Sequence, residues 1–164
     1  MEKSKKNKSG FTLVEALMST AIVGIALAAL MVANVSHSQA NAYGVETSTA
    51  EFLIEEIRSL TMPLDLTDPN SGMDVFGAEA GEGSVSAYDD LDDFDGVTFN
   101  PPVDVGGNDL INFSEYSQVV TVENVDSGDL TNVVSDHGSA IVRVTVSIEM
   151  NGKQVGSSNW IRAK

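Results

Sequence analysis

The chain has no cysteine among its 164 residues, only four prolines, and no Lys or Arg between Arg58 and Arg143. Without thiols it can form no disulfide staple, zinc-thiolate site, iron-sulfur cluster or cysteine nucleophile, even in an oxidising compartment. The missing cations matter as much. Residues 59–142 hold 17 Asp or Glu, so solvent, cations or a basic partner must tolerate charge that no Lys or Arg of the same segment can meet. With 9 Lys plus Arg against 24 Asp plus Glu, the formal charge is −15, the wrong sign for holding a phosphate backbone. Nucleic acid is therefore not expected among the partners. At about 100 to 200 residues per domain, the length allows one globular domain plus its ends.

What is present is unevenly placed. Lys3, Lys5, Lys6 and Lys8 against Glu2 give residues 1–10 a net +3, leaving −18 on residues 11–164. Between the basic start and the acidic remainder lies an apolar run from Phe11 to Val35. Its last 20 residues, 16–35, cover about 30 Å at a helical rise of about 1.5 Å each, the hydrocarbon thickness of a bilayer. Lysines before the run and none after it until past Arg58 put the N-terminus in the cytoplasm and the rest outside. Helical periodicity continues beyond the run. Val45, Thr49, Phe52, Leu53, Ile57 and Leu60 fall on one stripe of a 3.6-residue period, with Glu51, Glu55 and Arg58 opposite. Met62 before Pro63 is the expected stop, giving one helix over 11–62.

Glu15 does not suit a plain anchor. A carboxylate near the centre of a membrane helix costs about 2.5 to 3.5 kcal/mol, and somewhat less at its end, so it needs a partner or a function. A cut between Gly10 and Phe11 would create an α-amine, with a reference pKa of about 7.7 to 8.0, in the same apolar surroundings. In a bundle of identical helices offset along its axis, the amine of one could pair with the carboxylate of the next and set the register. Ala16, Thr20, Gly24 and Ala28 recur every four residues, a small-residue ridge that lets helices approach closely in lipid. Alanine-rich helices also show such ridges by chance.

Lys-Lys-Asn-Lys-Ser-Gly10 followed by Phe11-Thr-Leu-Val-Glu15 resembles the class III leader of type IV pilins and type II secretion pseudopilins. The resemblance implies cleavage after Gly10 by a prepilin peptidase, N-methylation of Phe11, and an assembly role for Glu15. It also implies residence in the bacterial inner membrane with the head in the periplasm, followed by packing with other pilins in a pilus or pseudopilus. Major pilins usually carry a proline near the twenty-second mature position, where this chain has Val32, and many close a C-terminal disulfide loop that is impossible here. The run is therefore more similar to minor pilins and pseudopilins. Two other readings stand beside this one. A secretory signal peptide could end at Ala40-Asn41-Ala42, releasing an acidic binding module, although the apolar run is longer than the roughly 7 to 15 residues such a signal needs. An uncut single-span anchor is the third, and it leaves Gly10 and Glu15 unexplained.

The remainder divides into a turn-rich half and a strand-rich half. Residues 63–115 are dense in Gly, Pro, Asn and Asp, which predicts loops with a short strand near 96–100. Val142, Val144, Val146, Ile148 and Met150 alternate with polar residues, the period of a strand with one buried face. Asn151-Gly152 predicts a type I′ hairpin, with Val155 opposite Ile148, Ile161 opposite Val142, and Trp160 on the face away from the core. Residues 116–124 form a third strand. The expected fold is α+β: a basic leader over 1–10, a transmembrane or filament-core helix over 11–35, an amphipathic continuation over 36–62, and an acidic, loop-rich head over 63–164 with a small antiparallel sheet packed on the helix.

The stretch Tyr88-Asp-Asp-Leu-Asp-Asp-Phe-Asp-Gly96 is the conspicuous cluster in the head. Asp90, Asp92, Asp93 and Asp95 are candidate Ca²⁺ ligands, since that ion takes six to eight oxygens. The EF-hand spacing fails, with Leu91 at the first position and Pro102 at the twelfth, and a solvated acidic loop is the plainer expectation. The run is similar to an acidic segment in minor subunits of mannose-sensitive haemagglutinin type pili. His37 and His137 stand apart from any second ligand, and no nucleophile-elbow or phosphate-loop spacing accompanies the Ser, Asp and His residues. The chain is not expected to be an enzyme or to need a cofactor.

Overall fold

A computed structural model describes residues 10–68 and 75–163. The leader over 1–9 and most of the Asp68-to-Gly72 turn region lie outside the described residues. Helix α1 runs over Leu13–Thr61. Four strands follow, β1 (Thr98–Phe99), β2 (Tyr116–Asn124), β3 (Ile141–Met150) and β4 (Lys153–Ala163), in the sheet order β1-β2-β3-β4 with every pair antiparallel. One long helix packed on this sheet makes the fold α+β. Contacts divide the chain between Gly44 and Val45 into two units. In the first, every described residue is exposed.

In the second unit Leu53 and Ile57 of the expected stripe are buried, but the stripe is rotated toward Ala50 and Ile54. The buried positions are Ala50, Leu53, Ile54, Ile57 and Thr61, whereas Val45 is 65% exposed and Phe52 43%. Burying Leu53, Ile54 and Ile57 contributes about 1.5 to 3 kcal/mol each. The rotation follows from how closely β4 approaches. A Cβ on Gly156 would stand 2.7 Å from the Ala50 Cβ, so only glycine facing alanine permits the contact that seats Ile54 against the sheet. Phe52 is left to pack its ring against Phe113, with centroids 5.8 Å apart.

The alternation in β2 and β3 places Val120, Val122, Val142, Val144, Val146 and Ile148 in the core. At the hairpin, Asn151 and Gly152 both take positive φ, 52° and 75°, as a type I′ turn requires. The expected register holds at Met150↔Lys153 and Glu149↔Gln154, then slips by one. A bulge opposite Ile148/Glu149 takes up Val155, so Ile148 meets Gly156 and Val144 meets Trp160. One extra residue turns every later side chain to the other face. Trp160 is therefore 9% exposed in the core and Ile161 is 40% exposed, the reverse of the sequence expectation. The Arg58 guanidinium lies 4.9 Å from the Trp160 ring centroid while pairing with Glu55.

One fully buried amide joins three parts of this unit. Gln118 in β2 accepts the Val103 N–H at 2.8 Å through Oε1 and donates through Nε2 to the Leu53 carbonyl at 2.9 Å and the Val103 carbonyl at 3.1 Å. Helix, sheet and the loop after β1 thereby share one side chain. At the helix end, Arg162 donates to the carbonyls of Thr61 at 3.1 Å and Leu64 at 2.9 Å, closing acceptors that α1 leaves open and placing a cation at the negative pole.

Gln118→Ala removes these partners and leaves a buried N–H unmet, which should cost about 2 to 4 kcal/mol in urea unfolding. Gly156→Ala should cost about 1 to 3 kcal/mol by overpacking, and combining it with Ala50→Gly should recover part of that loss.

Candidate functional site

Two regions carry the chemistry singled out above. In the first, Gly10 is exposed and Phe11 is 76% exposed. Thr12 precedes the helix, and its Oγ1 accepts the Glu15 N–H at 3.2 Å. Thr12-Leu-Val-Glu15 thus has the spacing of a capping box, which sets where α1 begins and puts Glu15 in its first turn. This role of Thr12 was missed in the sequence, although the Thr-x-x-Glu spacing is its signal. Hydroxyls farther along are satisfied within the helix, Ser19 donating to the Glu15 carbonyl at 2.7 Å and Thr20 to the Leu17 carbonyl at 2.9 Å. With its hydroxyl turned onto the backbone, Thr20 continues the small-residue ridge of Ala16, Gly24 and Ala28 without presenting a free polar group. A Cβ on Gly24 would meet nothing within 4 Å, so the ridge is open. The helix is long and apolar enough to cross a membrane.

The second region is the acidic loop, and it is not the solvated loop expected. Asp90, Asp92 and Asp93 are 1%, 2% and 1% exposed, on and beside a short 3₁₀ turn over Asp92–Phe94. They are buried because they build the turn. Asp90 Oδ1 accepts the N–H groups of Asp92 and Asp93 at 3.1 and 3.3 Å, while Asp93 Oδ2 accepts those of Asp89 and Asp90 at 3.0 and 3.3 Å. Asp92 Oδ2 accepts the Gly77 N–H at 3.1 Å, and Asp95 Oδ1 accepts the Val122 N–H at 2.8 Å, tying the turn to β2. Leu91 and Phe94 bury their side chains from the same turn.

Of the four aspartates named as ligand candidates, Asp93 alone joins a three-carboxylate group among the described residues, and its companions are Glu79 and Glu82. These two glutamates were missed because they lie 14 and 11 residues upstream, outside the dense run. Oxygens of all three stand within 4.8 Å of one another. Asp92 Oδ1 and Asp93 Oδ1 are buried with no hydrogen-bond partner.

Burial, carboxyl-to-carboxyl hydrogen bonds and neighbouring negative charge raise several of these carboxyls. Burial, then the charge of Asp92, pushes Asp90 from 3.8 to about 8. The Glu82 carboxyl, by hydrogen bond first and then with burial, lifts Glu79 from 4.5 to about 7. Burial raises Asp93 to about 6 against two backbone N–H bonds that pull it down.

The class of protein follows from the first region. A family model described as the prokaryotic N-terminal methylation motif matches residues 5–31, spanning the basic leader, Gly10, Phe11, Glu15 and the start of the apolar helix. The motif supports a prepilin-type protein processed at its leader, and the apolar N-terminal helix fits membrane anchoring and then a pilus. This match supports the type IV pilin and pseudopilin family, and the α+β architecture is pilin-like. No curated protein and no solved structure matches it.

The raised carboxyls fix a pH dependence. Because the folded pKa values lie above the unfolded ones, the native state binds more protons than the unfolded chain between about pH 4 and 8. Their stabilisation is complete below the unfolded values and is lost as pH rises through 6 to 8. In chelating buffer the melting temperature should fall over that window, and Asp90→Asn, which keeps the accepting oxygen, should flatten the fall.

Proposed function

We propose that this chain is a minor pilin or pseudopilin, cleaved after Gly10, methylated on Phe11, and assembled through its N-terminal helix into a pilus or secretion pseudopilus. The observation that carries the reading is the methylation motif over residues 5–31, with Glu15 in the first turn of an exposed apolar helix. Its action is assembly rather than catalysis. Before assembly, residues 11–35 reside in inner-membrane lipid, with the head periplasmic; afterwards they contribute to the fibre core. The Glu15 carboxylate pairs with the Phe11 amine of a neighbouring subunit, and the ridge Ala16, Thr20, Gly24 and Ala28 lets helices approach. The absence of proline before Pro63 and the similarity of the acidic run to minor subunits of mannose-sensitive haemagglutinin type pili support a minor rather than a major subunit.

Ala42 lies inside the uninterrupted helix Leu13–Thr61, which weighs against release by signal peptidase at that bond. Mass spectrometry of protein recovered from cells separates the readings. A mature chain beginning at methylated Phe11 supports processing as a pilin, one beginning at Tyr43 supports a secreted module, and an intact leader supports an uncut anchor. Glu15→Ala should reduce incorporation into filaments at least tenfold while the head keeps its melting temperature; wild-type incorporation would overturn the pairing mechanism.

A further inference from the structure

We propose that Glu79, Glu82 and Asp93 bind a divalent cation of the calcium class. The three residues come from two loop segments, and each offers an oxygen within 4.8 Å of the others. Two oxygens each about 2.4 Å from a common Ca²⁺ can stand at most about 4.8 Å apart, so the group has the dimensions of a coordination sphere. Magnesium demands near-ideal octahedral geometry at about 2.0 to 2.1 Å and keeps several waters, so carboxylates from two loop segments suit the more flexible calcium sphere better.

Spacing alone would describe any crowded acidic surface, and the second observation is Asp93 itself. This side chain is 1% exposed, both bonds from backbone N–H groups fall on Oδ2, and Oδ1 is buried without a partner. A buried carboxylate oxygen with no donor is costly unless a positive charge reaches it. Protein cations do not: residues 59–142 contain no Lys or Arg, and neither salt bridge among the described residues involves this group. The glutamates are meanwhile held in place by their own turn. The Glu79 N–H donates to Glu82 Oε2 at 2.8 Å, and the Glu82 N–H donates to the Glu79 carbonyl at 3.1 Å. Both glutamates are half-buried, leaving a route for an ion from solvent.

The test uses the full chain in detergent, stripped with chelator and melted with and without millimolar CaCl₂. Calcium should raise the melting temperature by about 5 to 10 °C at a hundredfold excess over Kd. Glu79→Gln and Glu82→Gln should lose that rise, yet melt above the wild type in chelator because one repulsive charge is gone. Asp109→Asn, an exposed acidic site elsewhere, should keep the rise. Terbium should bind the wild type and be displaced by calcium. No calcium shift, an equal shift with magnesium or NaCl, or a shift retained in both glutamine variants would overturn the proposal, the first leaving shared protons as the device that holds the carboxyls together. The site is read from the head alone, so failure of leader processing leaves these outcomes unchanged.

Discussion

Seventeen carboxyls over residues 59–142, with no Lys or Arg among them, constrain everything the head does. An ion pair at nearly every acidic side chain is impossible, so the chain turns its carboxylates onto backbone amides. Asp90, Asp92, Asp93 and Asp95 each accept N–H groups, as do Asp104, Asp126 and Asp129 in later turns. Where such a turn faces water, charge and hydrogen bond agree. Bonds from Asn108 hold Asp104, and those from Thr131 hold Asp129, below the ordinary aspartate value. In the buried turn the two effects oppose each other, and desolvation raises Asp90 and Asp93 despite the same type of bond. One sequence habit therefore gives acid-stable turns outside and proton-hungry ones inside.

This explains why loops without periodicity still become ordered. Among the described residues of 63–115, regular structure is limited to a two-residue strand and two short 3₁₀ turns, but Asp95 reaches β2, Glu56 of the helix accepts the Val105 N–H at 2.6 Å, and Gln118 holds both backbone groups of Val103. The loop is organised by side chains acting as backbone partners. Regular secondary structure does little there.

Much of the fold was legible because it follows from alternation and punctuation. The helix, the strands over 116–124 and 141–150, and the Asn151-Gly152 turn each rest on a local pattern that tertiary contacts had no cause to override. Two errors share one origin, Gly156. A glycine within a strand marks a bulge or a close approach, and here it accompanies both, moving Trp160 into the core and selecting Ala50 over Val45 on the helix. Periodicity alone ranks bulky apolar residues above alanine, so it placed Leu53 and Ile57 correctly but took Val45 and Phe52 where Ala50 and Ile54 are buried. The acidic site was less legible for a different reason. Its donors are backbone N–H groups, which a sequence does not display, and two of its three carboxyls come from a separate segment. Composition correctly reported charge but implied solvation.

The two candidate sites pose the same electrostatic problem at different ends of the chain. Glu15 lies in an apolar helix where the nearby Ser19 and Thr20 hydroxyls are turned onto backbone carbonyls rather than onto its carboxylate. Asp93 lies in a head whose amides are already committed to Oδ2, leaving Oδ1 in the same position. A carboxylate left over after local donors are used up has two outlets: a proton, or a positive charge arriving from outside the fold. In the proposed filament that charge is a neighbour's α-amine, a group created only by cleavage, so burial of Glu15 becomes favourable only for processed subunits. At the proposed head site it is a small cation whose availability depends on the surrounding medium. Each unmet carboxylate thus ties a favourable state of the chain to an external event, and the cost of leaving it unmet is what makes that tie selective.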